Sequence, residues 1–175
     1  MSDSHIRDAR SQDFDRIVEL NETEVKQTST MDTDRLRVLD SLSSYHRVYE
    51  VAGKVEGFLL AIDSKKAYEN ANFRWFAERY PDFIYIDRIV VNANHKGQGI
   101  GRKLYRDLFD CVNSHELPLV CCEFNLIPPN RASEVFHTKM GFKQVGEQQH
   151  EGSFKLVSMQ VNEIKQQSSE RSAKE

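Results

Sequence analysis

Apolar positions along the chain follow two rhythms, and the changes between them mark out the elements. Phe14, Ile17, Val18, Leu20 and Val25 recur at helical spacing behind Ser11 or Asp13, either of which suits a helix cap. Leu36, Leu39 and Leu42 repeat that spacing behind Asp32 or Asp34, while residues 5–9 suit a short strand. "YHRVYEVAGKVEGFLLAID", from Tyr45, then reads as two strands around a turn at Ala52, Gly53 and Lys54. Residues 65–82 are aromatic, charged and poorly periodic, which predicts an inserted helix or lid. In that insert Phe73, Trp75, Phe76 and Tyr80 are expected to bury against the sheet.

"FIYIDRIVV", from Phe83, is apolar on both faces except at Asp87 and Arg88, the pattern of a central strand. Leu104, Leu108, Phe109 and Val112 give the next helix its apolar face. "LPLVCCEFN" predicts another buried strand ending at Asn125. A helix follows from near Asn130, with Gly141 as its C-terminal glycine. Residues 143–150 and 154–161 suit a final hairpin around Glu151 and Gly152, and from Asn162 the chain is a polar tail. The expectation is an α/β or α+β fold around one sheet: a domain over 1–161, then a tail over 162–175.

Composition narrows the function classes. A chain of 175 residues supports one domain with a real core. A net charge of −3 gives no case for nucleic acid or an anionic membrane as partner. No apolar run is long enough to span a bilayer, and the polar N-terminus lacks the apolar core of a signal peptide. Cys111, Cys121 and Cys122 have neither disulfide-framework nor zinc-site spacing. No metal is expected, the thiols read as small buried hydrophobes, and a cytoplasmic location is the simplest.

"NHKGQGIGRKLYRDL", from Asn94, follows the central strand with three alternate glycines and then a helix. A helix N-terminus offers unpaired amides and partial positive charge, and glycines let an anion come close. Lys96, Arg102 and Lys103 add cationic character, so the geometry suits a pyrophosphate. A P-loop needs GxxxxGK[ST] and a dinucleotide fingerprint GxGxxG; neither is present.

"KGQGIG", from Lys96, resembles the [QR]xxGx[GA] loop of the GNAT superfamily of N-acetyltransferases, with lysine at its first position. "NRASEVFHTKMGF", from Asn130, resembles that family's NxxAxxxYxxxGF segment through Asn130, Ala132, Gly141 and Phe142. The resemblance runs in order from Tyr45 to the last strand. It implies a mixed, mostly antiparallel sheet flanked by helices, with a splayed parallel pair at 83–92 and 118–125. Acetyl-CoA is the implied cosubstrate, reacting by direct attack of a primary amine in a ternary complex. Ile89, Val90 and Val91 would meet the pantetheine arm; Lys96, Gly97, Gln98, Gly99, Ile100, Gly101 and Arg102 the pyrophosphate; Asn130 the mouth of the splay.

In relatives a tyrosine often protonates the departing thiolate; His137 holds that position here. A histidine donates protons near neutral pH, and a packing role on the helix is the plainer alternative. Tyr85 and Tyr105 are reserve donors. Relatives often carry an acid at the place of Asp87, and Glu123 in the facing strand is a second candidate base. A structural salt bridge with Arg88 or another cation is the alternative for Asp87, and Arg88 is an awkward partner because neighbours along a strand point to opposite faces. The acceptor, a small amine or a peptide amine, is not readable. Dimers are common among relatives, so a homodimer belongs to the expectations. A catalytically silent acyl-CoA-binding or regulatory module is the alternative, sustained by His137.

Overall fold

A computed structural model describes residues 3–26 and 28–164. The sheet begins with β1 (Ser4–Asp8), and a 3-10 turn at Ser11–Asp13 leads into α1 (Phe14–Thr23). Asp13 is the N-cap residue of α1, but its carboxylate binds the Arg7 guanidinium at 2.7 and 2.9 Å instead of the helix. Helix α1 stops before Val25, so that residue is not part of its apolar stripe. Helix α2 (Thr33–Leu42) is capped by Asp32, which accepts from the Arg35 amide at 2.7 Å.

Strands β2 (Tyr45–Val51) and β3 (Lys54–Asp63) form the expected hairpin, with Ala52 and Gly53 both at positive φ in its turn. After β3 come α3 (Ala71–Ala77), β4 (Ile84–Val91), α4 (Ile100–Ser114) and β5 (Leu119–Ile127). The chain closes with α5 (Arg131–Lys139), β6 (Lys143–Gln149) and β7 (Leu156–Glu163). Phe154 therefore lies outside the last strand, 94% exposed on the hairpin. Asn162 and Glu163 belong to β7 rather than to a tail; residues 165–175 of that segment lie outside the described residues.

The seven strands run β1-β2-β3-β4-β5-β7-β6, antiparallel except for β4 and β5. Each face carries its own core. Phe58, Leu60 and Ile62 of β3 face α1, α2 and α3, whereas Leu59 and Ala61 face Leu104, Leu108 and Val112 of α4. This double burial explains why β3 reads as an unbroken apolar run. Each of those α4 side chains is fully or almost fully buried, which stabilises the fold by about 1.5–3 kcal/mol apiece. Phe73 and Phe76 of α3 are buried against Phe83 and Tyr85, as the insert's aromatics were expected to be. Cys121 and Cys122 are buried, while Cys111 is only half-buried.

Candidate active site

Strands β4 and β5 pair only at Ile84–Val120 and Tyr85–Cys121 and then part. The parting coincides with an irregularity in β4. Opposite β3, Ala61 pairs with Ile86 and Leu60 with Arg88, leaving Asp87 as an extra residue. Before this bulge Ile84 and Ile86 face α4; after it Ile89 and Val91 do. Asp87 and Arg88 consequently share the opposite face, and the alternation that made Arg88 a poor partner does not hold. Arg88 Nε donates to Asp87 Oδ2 at 2.8 Å, and both side chains are buried.

The gap opened by the splay is a cleft of about 400 Å³ between β4, β5 and α5. Its β4 wall is an unpaired strand edge. The Asn92 amide donates to Glu56 O at 2.8 Å, toward β3. Antiparallel alternation then turns the amides of Ile89 and Val91 into the gap and that of Val90 toward Phe58 of β3.

Beyond β4 a 3-10 turn (Ala93–His95) leads to the glycine loop. Gly97 and Gly99 have φ of +82° and +78°, and a Cβ on either would meet nothing within 4 Å. These two glycines set the backbone path and leave open space in front of it. Gly101 differs: its Cβ would stand 3.7 Å from the Phe136 ring, so it brings α4 close to α5. Gly99 is the N-cap of α4 and has no side chain to cap the helix, so the amides of Ile100, Gly101 and Arg102 face outward. The Gln98 amide is turned to His95 O at 3.3 Å. Lys96 reaches back to Glu24 at 2.5 Å, and both residues line the cleft. Asn130 caps α5 by accepting from the Ser133 amide at 3.1 Å and also lines the cleft. Counted from Asn130, the alanine position of the second motif is Ser133; Ala132 falls one residue short.

The two carboxylates meet different fates. Asp87 accepts from Tyr68 as well as from Arg88, and the Arg88 guanidinium goes on to Asn21 Oδ1 at 3.0 Å and Ser29 Oγ at 3.1 Å. Asp87 is thus a member of a dense network tying β4 to the loop after α1. Glu123 Oε1 accepts from Tyr85 and from Asn72, each at 2.8 Å. Its Oε2 is buried and has no hydrogen-bond partner among the described residues. Burial pushes the Glu123 carboxyl up to about 7, against the lowering effect of those two donors and with a smaller push from the Asp87 charge. A carboxyl balanced near neutrality and holding a vacant lone pair is suited to accept a proton.

His137 is buried on α5, its ring stacked on Phe124. The Ser133 carbonyl, 2.7 Å from Nδ1, can only accept, so Nδ1 carries the proton. Nε2 is then an acceptor, and the Tyr105 hydroxyl donates to it at 2.8 Å. Burial lowers the His137 pKa, against a raising effect from the Ser133 carbonyl, which keeps the ring neutral. The Tyr105 hydroxyl is likewise pushed well above its ordinary pKa by burial. Both side chains line the cleft, so the proton this pair can release belongs to Tyr105.

A second, polar pocket of about 270 Å³ lies against the cleft. Thr28, Asp87, Arg88, Glu123, Phe124 and Asn125 line both spaces. Its remaining walls come from the loop after α1, from α3 and from the β6–β7 hairpin. Asn72, which holds Glu123 and is itself held by Gln148 at 2.8 Å, was not singled out from the sequence. It sits in the aperiodic insert, where nothing in the pattern marks it. Among the described residues no cluster of three or more His, Cys, Asp or Glu could hold a metal ion, and no helix is long and apolar enough to cross a membrane.

The Acetyltransferase (GNAT) family model matches residues 11–142. Ard1 from Thermoplasma volcanium superposes with a TM-score of 0.76 at 16% identity, covering 92% of this chain and 97% of that one. The putative acetyltransferase yncA from Salmonella typhimurium, solved with its cofactor acetyl-CoA, gives 0.71 at 22% identity and covers 99% of both chains. The ribosomal-protein-S18-alanine N-acetyltransferase from Escherichia coli gives 0.71 at 12%, covering 93% and 94%. No curated protein sequence matches the chain. At these identities the structural likeness speaks for the fold.

Proposed function

The chain belongs to the GNAT acetyltransferase family, and from that premise we propose that it transfers the acetyl group of acetyl-CoA to a primary amine. The cleft fits the cosubstrate in three respects: outward amides at the start of α4, open space before Gly97 and Gly99, and an unpaired β4 edge. The amides of Ile100, Gly101 and Arg102, with Lys96 beside them, would hold the pyrophosphate. The Ile89 and Val91 amides would pair with the pantetheine arm, as a strand would. Acetyl-CoA supplies an activated thioester carbonyl.

The observation that carries the reading is Glu123, with its unpartnered oxygen, at the wall shared by the two spaces. An ammonium entering the polar pocket loses a proton to Glu123, directly or through one water, and becomes nucleophilic. Of the two gap-facing amides, Ile89 and Val91, the one nearer the thioester would meet the charge that gathers on the carbonyl oxygen, and the other would hold the arm. Tyr105, its hydroxyl turned from His137 Nε2 to the sulfur, would give the departing thiolate its proton and be reprotonated through water by the proton that Glu123 took from the amine. Asp87 keeps Arg88 neutralised and the pocket walls in place. These assignments also weigh against a silent binding module, which would have no use for a carboxyl balanced near neutrality.

The test is CoA release with a panel of primary amines from pH 5.5 to 9, in the native protein and in Glu123→Gln. Below about pH 7 Glu123 is protonated and cannot act as base, so kcat/KM should rise through that value. Glu123→Gln should lose this acid limb and about 10²–10⁴ in kcat while keeping acetyl-CoA affinity in calorimetry. Undiminished turnover in the variant would remove Glu123 from the mechanism. Acetyl-CoA binding without transfer to any amine would leave the silent module.

A further inference from the structure

The polar pocket beside Glu123 is lined by groups of both signs. At its inner wall stands the partnerless Oε2 of Glu123. Asp87 does not add to that demand, since Tyr68 and Arg88 already occupy its oxygens. Nor does Arg88 offer a free cation, because its nitrogens are taken by Asp87, Asn21 and Ser29. The β6–β7 hairpin also lines the pocket and contributes His150 and Lys155. Lys155 is half-buried, and its ammonium has no ion-pair partner among the described residues. A half-buried cation without a counter-charge favours an anionic group in the space it lines.

We infer that the acceptor is a free amino acid, its ammonium directed to Glu123 and its carboxylate to Lys155 and His150. The inference rests on the acetyl-transfer reading and names the substrate class of the same site. The pocket, at about 270 Å³, falls just below the range of clefts that take drug-sized ligands, so it suits a molecule of amino-acid size. A diamine would place its second ammonium against Lys155 and be repelled. A protein N-terminus has no α-carboxylate, and its next peptide unit would leave Lys155 uncompensated. Phe124 and Val157, the apolar part of the lining, are available to the side chain.

The test separates acceptor binding from transfer. The common L-amino acids, their amino amides, the decarboxylated amines and a dipeptide amide are titrated into the CoA-loaded protein and followed by calorimetry or ligand-observed NMR. At least one amino acid should bind tenfold or more tightly than its amide and its decarboxylated amine. Lys155→Gln should erase that preference and Lys155→Glu invert it, with acetyl-CoA affinity and melting temperature unchanged. Equal or better binding of the amides, the plain amines or the dipeptide amide overturns the inference, as does failure of every amino acid to bind. The ligand comparison uses only the native protein, so it stands even if a Lys155 variant fails to fold. CoA release is measured in parallel. Turnover confined to plain amines sinks the amino-acid inference and keeps acetyl transfer; selective amino-acid binding without turnover does the reverse.

Discussion

Asp87 and Glu123 face each other across the splay, and their surroundings separate a carboxylate that holds structure from one that is free to react. Asp87 neutralises Arg88, and the two side chains are only 3% and 5% exposed. Removing one member of such a pair leaves an uncompensated buried charge, so Asp87→Ala should destabilise the protein by about 3–5 kcal/mol in urea unfolding. A stability near that of the native protein would show that the network around Arg88 is dispensable. Glu123 behaves oppositely. Its pKa is raised from 4.5 to about 7, so the folded state favours the protonated form. The stability this gives is complete below pH 4.5 and is lost as pH rises through 7. Glu123→Gln, always neutral, should therefore gain on the native protein across that window, by up to about 3 kcal/mol at pH 8. Loss of activity in Asp87 variants then reads first as loss of fold, and in Glu123→Gln as loss of chemistry.

At the level of elements, the helices and most strands were legible because burial alone imposes their periods. The bulge in β4 was not. It adds one residue without adding any glycine or proline, and "YIDRIV" keeps the same composition whether or not the alternation breaks. Only the shifted pairing with Leu60 and Ala61 reveals why Asp87 and Arg88 lie together. The glycine loop was legible as the turn that opens α4, although its three glycines do different work: two at positive φ, one in helix contact. Gly146 shows a constraint that the sequence hid altogether. A Cβ there would stand 2.6 Å from the Trp75 ring, because β6 runs directly beneath the insert helix α3. Gly146→Ala should push Trp75 outward and cost about 1–3 kcal/mol. The same shift should move the Trp75 fluorescence, and since this is the chain's single tryptophan the signal is unambiguous. An unaltered emission spectrum and melting temperature would mean that α3 and β6 are not held as close as described.

On the scale of the whole molecule, the two spaces share walls from the strands and also from the residues that follow α1. Glu24, just past the end of α1, grips Lys96 at the entrance to the glycine loop, and the segment between α1 and α2 also supplies Ser29 to Arg88 and the polar pocket. The sequence marked Lys96 as a phosphate ligand but gave no hint of Glu24, because the contact joins residues 72 positions apart. Lys96 is 58% exposed in this pair and Glu24 24%, so the ion pair itself stabilises by only about 0–1 kcal/mol. Its effect on the cosubstrate is more telling. With CoA seated as proposed, its diphosphate would compete with the Glu24 carboxylate for Lys96 and then share the cleft with that like charge. Glu24→Gln removes both costs, so CoA should bind roughly two- to fivefold more tightly. The gain should be larger at low ionic strength, since the groups are partly exposed and screened by salt. Calorimetric titration of CoA at two salt concentrations, with Lys96→Ala for comparison, measures this directly. Weaker binding in Glu24→Gln would reverse the assignment: the carboxylate would then be holding Lys96 in position for the phosphates rather than competing with them.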